Sequence, residues 1–437
     1  MTILPQFLFF LLLAGGTAWF ARNIRIIRRN ILAGRPEAAA GDKASRMRNL
    51  LLLALGQKKM FRNMPVALMH LVIYAGFIII NIEVLEIVLD GLLGSHRLFL
   101  HLMPQALYAF LINCFEWLAL GVIAVCIAFL VRRNMMRIRR FTSGDLNGWP
   151  RSDANYILIA EIILMSLFLL MNAADRTLQL QGHAHYVETG NFSISSRLAP
   201  LLSGFSSQSL VVLERSCWWL HIIGIFVFLN YLPYSKHLHI LLAFPNAYYA
   251  RSGSGSAMPN MESVQREVMY MMQPESAPAA TENTVMKFGA RDVFDLSWKN
   301  LLDAYSCTEC GRCSAACPAN QTGKLLSPRK IMMDTRDRLA EAGRHLDKEG
   351  KFTPDGKTLL NDHISVEELR ACTTCNACVE ECPVSISPLD IILQLRRSLI
   401  MEDSNAPAEW NSMFGNIENN FAPWKFSPDE RTAWKND

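Results

Sequence analysis

Along the first 250 residues the hydrophobic pattern is neither the alternation of a strand nor the one-sided stripe of a surface helix. Long apolar runs are separated by short polar, basic stretches. Five runs, at about residues 3–20, 64–89, 102–130, 154–174 and 209–233, reach the roughly 20 helical residues that a hydrocarbon core requires. Helix is the expected form, because an open strand leaves its backbone unsatisfied in lipid. The basic cluster Arg22, Arg25, Arg28 and Arg29 follows the first run instead of preceding it, the reverse of a secretory signal. That order predicts a retained helix with its N-terminus outside. The stretch 21–63 holds eleven Lys or Arg and the stretch 131–152 holds six, whereas the two remaining loops hold Arg97, Arg176 and Arg197. The asymmetry predicts that the basic loops, and everything after residue 234, lie in the cytoplasm, where thiols stay reduced. The expected location is therefore the cell's inner (cytoplasmic) membrane, in contact with lipid.

Beyond residue 250 the pattern changes. Residues 251–290, rich in Ser, Gly, Pro and Ala, read as a linker. A second domain is expected over 291–403, and it reads as helical. Ser365 with Glu368 and Ser387 with Asp390 have capping-box spacing, and Pro388 suits a first helical position. The tail at 404–437 is polar, Asn-rich and punctuated by Trp410, Trp424 and Trp434. The predicted fold is all-α: a five-helix transmembrane bundle (1–250) followed by a helical cluster-binding domain.

Composition agrees. Of 437 residues, 51% are hydrophobic and 19% charged, too apolar for a soluble chain of this size. A net charge of +4 excludes a polyanion such as nucleic acid as the natural partner. Eight of the eleven cysteines fall between Cys307 and Cys382. Cys307-x2-Cys310-x2-Cys313-x3-Cys317-Pro318 recurs as Cys372-x2-Cys375-x2-Cys378-x3-Cys382-Pro383. In such a motif three thiolates wrap one 4Fe-4S cubane and the fourth, turned by the following Pro, reaches the other. This predicts one centre on Cys307, Cys310, Cys313 and Cys382, and a second on Cys372, Cys375, Cys378 and Cys317. Zinc modules offer paired Cys-x2-Cys knuckles, a poorer match. No phosphate loop or dinucleotide fingerprint occurs, so the domain reads as a wire for single electrons with no complete substrate site of its own.

His70, His221, His237 and His239 sit in or beside predicted spans, where ionisable groups are functional by default. A bis-histidine haem needs two imidazoles at similar depth. His70 lies about 9 Å from the cytoplasmic start of its span, at 1.5 Å per residue. His239 returns to that depth if the fifth helix continues toward Pro245, whereas His221 falls in the outer half. Core histidines held by hydrogen bonds are the alternative. His96, His101, His183, His185, His345 and His363 read as surface residues. Glu83, Glu86, Glu116, Glu161 and Glu214 fall in or near spans, as proton carriers or as interhelical pairs, and Trp218 and Trp219 read as packing.

The stretch from Trp298 through Cys307-Thr-Glu-Cys310-Gly-Arg-Cys313, with Thr322-Gly-Lys324, Leu326-Ser-Pro-Arg329, Cys372-Thr-Thr-Cys375-Asn-Ala-Cys378-Val-Glu-Glu-Cys382-Pro-Val384 and Arg396-Arg397, resembles the iron-sulfur module of heterodisulfide-reductase-related oxidoreductases. That resemblance implies an α-helical ferredoxin fold. The membrane half, through Trp218-Trp-Leu-His221 and Leu232-Pro-Tyr-Ser-Lys-His237-Leu-His239, is similar to the five-helix cytochrome b (gamma) subunit of respiratory nitrate reductase. There the second helix carries two histidines ten apart, and here the position ten after His70 is Ile80. The resemblance thus implies one haem b, with His239 as inner ligand and His221 without its expected partner. The chain also lacks a Cys-Cys pair. Within the resemblance, this implies that a cysteine-rich domain is supplied by a separate heterodisulfide-reductase-like subunit, or that a flavoprotein takes its place. Trp424 and Trp434 are expected to bury against that partner, the alternative being that they fold back on the iron-sulfur domain. The expected function is a membrane-bound electron-transfer subunit between a quinone pool and a cytoplasmic redox partner. The alternative is a haemless membrane anchor whose clusters serve a soluble oxidoreductase subunit.

Overall fold

The computed structural model describes residues 3–190, 192–251, 258, 260–277 and 287–436. Most of the Ser-Gly and Ala-rich stretches expected as linker lie outside the described residues, and within that segment a helix occupies Glu262–Met272. The described chain is helical, its β pairing limited to isolated bridges such as Arg35 with Ser297.

Five helices are long and apolar enough to cross a membrane: α1 (Leu4–Leu32), α2 (Met64–Leu93), α3 (Gln105–Asn134), α4 (Trp149–Leu180) and α5 (Ser207–Tyr231). Proline starts three of them, Pro5, Pro65 and Pro150 standing in the first turn, where no amide donor is lost. Helix α1 packs on α2 and α5, α2 on α3, α3 on α4, and α4 on α5, so the ring is closed. Phe7, Phe77, Phe110, Ile163 and Val227 point outward, as an apolar solvent requires. The Trp218-Trp219 pair packs on Phe9 of α1, ring centroids 5.5 and 6.1 Å away, as expected. At one crossing the side chain is dispensed with: a Cβ on Gly91 would stand 2.7 Å from the Phe9 ring.

Two boundaries differ from the sequence reading. Helix α1 does not end near residue 20 but runs on through its arginines to Leu32. The reason is tertiary. Ile27 and Ile31 enter the same core as Leu301, Leu339 and Leu395, each worth about 2 kcal/mol when buried. Arg29 pairs with Asp347 and donates to the Gly343 carbonyl at 3.0 Å. In contrast, α5 stops at Tyr231. Pro233 interrupts it, two single turns follow, and a new helix, α6 (His239–Tyr248), begins at His239.

The helices that follow include α7 (Trp298–Ser306), α8 (Arg312–Ala316), α9 (Pro328–Glu349), α10 (Val366–Ala371), α11 (Ala377–Glu381), α12 (Pro388–Arg397) and α13 (Ala408–Asn420). Ser365 and Glu368 form the expected reciprocal cap. Ser387 caps α12 by accepting from the Asp390 amide at 3.3 Å, with Pro388 in the first turn. The domain built from α7 to α12 stands on one end of the bundle. There Arg329, 1% exposed, is held by Asp145 and the Arg140 carbonyl. Arg62 is held by Glu380 and Glu381, and Asn246 donates to the Val384 carbonyl at 3.0 Å. Both basic stretches identified in the sequence therefore meet the domain that carries the cysteine motifs at the same end.

Candidate redox centres

The two cysteine motifs adopt the same backbone. Helices α7 and α10 end on Cys307 and Cys372 at φ/ψ of −70/123 and −73/125, and α8 and α11 end on Cys317 and Cys382 at −75/120 and −73/123. The prolines after the last two enforce that extended geometry. Between them each loop turns left-handed twice, at Glu309 and Gly311 (φ 55 and 72) and at Thr374 and Asn376 (φ 56 and 61). Two such residues per loop curl the chain into a tight turn. Amides already point at the sulfurs, Glu309 to Cys307 at 3.4 Å, Thr374 to Cys372 at 3.4 Å and Ile386 to Cys382 at 3.3 Å.

Burial, reinforced by neighbouring thiolates, pushes the Cys307 and Cys378 thiols up to about 12 and Cys382 to about 11. The identity of those neighbours is informative. Cys307 feels Cys310 and Cys382; Cys313 feels Cys307, Cys310 and Cys382, with Cys378 the weakest of its neighbours. Cys372 and Cys378 each feel Cys317 and Cys375. Each group of three thus has the fourth cysteine of the opposite motif beside it. Among the described residues no three such side chains come close enough for one metal ion. Two sets of thiols arranged in this repeated Cys-x2-Cys-x2-Cys-x3-Cys-Pro pattern suit polynuclear iron-sulfur groups better than zinc. Cys375 is exposed, whereas Cys307 and Cys317 are buried.

Next to the first group lies the segment that carries His237 and His239. Leu238 shares a core with Cys307, and Ser306 donates to the Leu242 carbonyl at 3.4 Å. Burial lowers His237 to about 4 and His239 to about 3, with the charge of His70 adding to both effects. His70 is thus near enough for its charge to reach both His237 and His239, which arrive there by a chain turn at Pro233 and not by continuation of α5. His70 holds Gln57 Oε1 through Nδ1 at 3.1 Å, and His239 holds the Lys236 carbonyl through Nδ1 at 3.1 Å. Both partners only accept, so each Nδ1 carries the proton and each Nε2 keeps its lone pair. His237 stands 5.4 Å from the His239 ring. One turn along from His70, the buried Tyr74 hydroxyl has no partner. These features fit a haem held by Nε2 atoms. His221 is not brought to them: it is 2% exposed and holds the Leu164 carbonyl through Nδ1 at 2.9 Å.

Two expectations need correction. His96 is not a surface residue; its side chain is 12% exposed, its Nε2 lies 3.7 Å from Asp175, and burial lowers it to about 3. Arg97, counted among the loop charges, is also buried, its Nε donating to Asp175 at 2.8 Å. Trp424 and Trp434, 51% and 71% exposed, do not fold back on the domain, whereas Trp410 of the same tail lies 5.8 Å from the Arg370 guanidinium.

Residues 306–386 match the family model described as a 4Fe-4S dicluster domain. Over 421 residues the chain is 27% identical to the probable iron-sulfur-binding oxidoreductase FadF of Bacillus subtilis, covering 90% of this chain and 55% of the relative. It is 25% identical over 430 residues to the EtfAB:quinone oxidoreductase of Syntrophomonas wolfei, covering 92% and 56%. A shorter likeness, 35% identical over 107 residues, is to a component of the ferredoxin/F(420)H(2)-dependent CoB-CoM heterodisulfide reductase of Methanosarcina acetivorans, covering 24% and 52%. The chain spans about half the length of the curated relatives it matches. No solved structure matches. The chain is an iron-sulfur protein related to oxidoreductases of the heterodisulfide-reductase and FadF types, with a multi-pass membrane region.

Proposed function

We propose that this chain moves single electrons between a cytoplasmic redox partner and membrane quinone through two 4Fe-4S clusters. The reading is supported by the mutual influence of the cysteines across the two motifs, Cys382 on Cys307 and Cys313 and Cys317 on Cys372 and Cys378, and the sets proposed are Cys307, Cys310, Cys313 with Cys382, and Cys372, Cys375, Cys378 with Cys317. Each set would hold one cluster, and each cluster when bound takes up and gives off one electron at a time. The exposed Cys375 makes the second set the exchange point with a partner. The first set, against the segment 236–248, faces the membrane domain. Quinone as the membrane-side substrate is supported by the relative named EtfAB:quinone oxidoreductase. A cysteine-rich heterodisulfide-reductase-like subunit, or a flavoprotein, would meet Cys375 beside the exposed aromatic tail, with this chain serving as an accessory redox subunit. The basic loops support a cytoplasmic iron-sulfur end and an outside N-terminus.

A second reading separates at the haem. The comparisons support the iron-sulfur and quinone parts; taken alone they favour a haemless anchor whose clusters serve a soluble oxidoreductase. The haem reading is supported by His70 and His239, each holding an acceptor through Nδ1 and leaving Nε2 as the ligating atom. His221, alone in its surroundings, supports no second haem. Reduced-minus-oxidised absorption of the purified protein decides. Sharp b-type bands, lost in both His70→Ala and His239→Ala but kept in His221→Ala, carry the haem. A wild type without them leaves the anchor. Iron and acid-labile sulfide near eight each per chain beyond any haem iron is expected either way, and zinc with little sulfide would overturn the clusters.

A further inference from the structure

The end of the bundle away from the iron-sulfur domain carries chemistry that the electron route does not use. Six carboxylates are buried there: Glu83, Glu86 and Asp90 on α2, Glu116 on α3, Asp175 on α4 and Glu214 on α5. Two guanidinium groups stand among them, Arg97 on Asp175 and Arg215 on Glu214. The other four make no ion pair among the described residues. Asp90 accepts from Ser95 Oγ at 2.6 Å and the Arg97 amide at 2.9 Å. Glu86 accepts from the Phe99 amide at 2.9 Å and the Tyr108 hydroxyl at 3.1 Å, and Glu116 from the Ile194 amide at 2.8 Å. All of these pin loops or helices together. Glu83 differs. It is 2% exposed, its Oε2 meets no donor, and the charges that face it are Arg97, Glu86 and Glu116. An anionic carboxylate left without donors in an apolar interior is strongly disfavoured.

Glu83 also has a way out. It lines a cavity of about 20 Å³ together with Glu86, Asp90, His96, Arg97, Glu214 and Arg215, a size that admits one water. The His96 ring at this cavity stands 5.3 Å from that of exposed His185 and 5.0 Å from that of Tyr186. The Tyr186 hydroxyl in turn donates to Glu214 at 3.0 Å.

We propose that Glu83 is a proton-exchange site, ten residues or roughly 15 Å inside the distal end of α2, connected to distal water through this cavity, His96 and His185. The ligand is a hydron relayed by water. Its use rests on the quinone reading: a quinone takes two electrons and two protons to become the quinol. The Glu83 carboxylic acid gives up one of those protons, becomes the carboxylate, and is reprotonated from distal water; quinol oxidation runs the same transfer backwards.

Wild-type protein in lipid vesicles should show an infrared carboxylic-acid band that shifts in D2O, and its absence overturns the proposal. In Glu83→Gln the infrared carboxylic-acid band that shifts in D2O should disappear with cluster content unchanged; full retention of the band also overturns it. Quinone-linked turnover of Glu83→Gln in vesicles should fall at least tenfold, with dithionite reduction of the clusters unaltered. Loss of the band in Glu83→Gln with unaltered turnover would uphold the proton site and overturn its use at the quinone.

Discussion

Cys317 ends α8 in a conformation fixed by Pro318, and its charge reaches Cys372 and Cys378 of the other motif. Cys317→Ser should therefore damage the centre held by the second motif. Electron paramagnetic resonance of the reduced variant should lose the signal that Cys372→Ser also removes, with iron falling from about eight toward four per chain. If Cys317→Ser instead shares its lost signal with Cys307→Ser, the crossed assignment is wrong. A backbone constraint operates in the same motif, two residues before Cys313. A Cβ on Gly311 would stand 2.5 Å from Arg329 Nη1, at a φ of 72°. Gly311→Ala should destabilise the domain by more than about 1 kcal/mol and loosen Arg329 from Asp145. The readout is a lower midpoint for loss of cluster absorbance on heating.

At the scale of elements, the middle of the long helix α9 is held by a buried cation. Arg338 is 0% exposed in its side chain and is shared by Asp292 and Asp355, which tie α9 to the segments at 292–295 and 355–359. The Arg338 hydrogen bond lowers the Asp355 carboxyl to about 2. A carboxyl lowered on folding stabilises the protein above its unfolded value, and that contribution is lost as pH falls through the folded value. Asp355→Asn should cost about 1 kcal/mol at pH 7, and its difference from wild type should shrink between about pH 4 and pH 2. A pH-independent difference in denaturant midpoint would contradict this. The helices themselves are largely legible in the sequence, because apolar length, first-turn prolines and caps are local signals. The turns of the two cysteine motifs are legible for the same reason, since each motif dictates its own. What escapes the sequence depends on distant partners. The arginines of α1 read as a loop because Asp347 and Gly343, distant in the chain, decide that they are helical. The approach of His239 to His70 follows from depth alone, but its route through the break at Pro233 does not. His96 reads as surface because Asp175 and Tyr186 enclose it from other segments. No spacing distinguishes Glu83 from the other carboxylates, several of whose donors come from loops at 95–99 and 193–195.

At the scale of the whole molecule, α13 presents Trp410, Phe414 and Ile417, each at least 40% exposed, beside the domain that carries exposed Cys375. Large aromatics of this kind anchor interfaces. Deleting residues 404–437 should release a redox partner on purification while iron and sulfide stay near eight per chain. A complex that survives the deletion would remove the tail from the docking surface.

The penetration of α1 into the iron-sulfur domain has a kinetic consequence. The Arg35 amide donates to the Leu296 carbonyl at 2.8 Å, and the Trp298 amide donates to the Arg35 carbonyl at 3.1 Å, so a rod embedded in lipid is spliced into the body that carries the cysteines. The cysteine centres cannot swing on a tether; their height above the bilayer is set by the helix. Intramolecular electron transfer should then be a fixed-distance tunnelling step with no diffusive search, and its rate after flash reduction should stay constant as glycerol thickens the medium. A rate that falls in proportion to viscosity would mean that the splice opens during turnover.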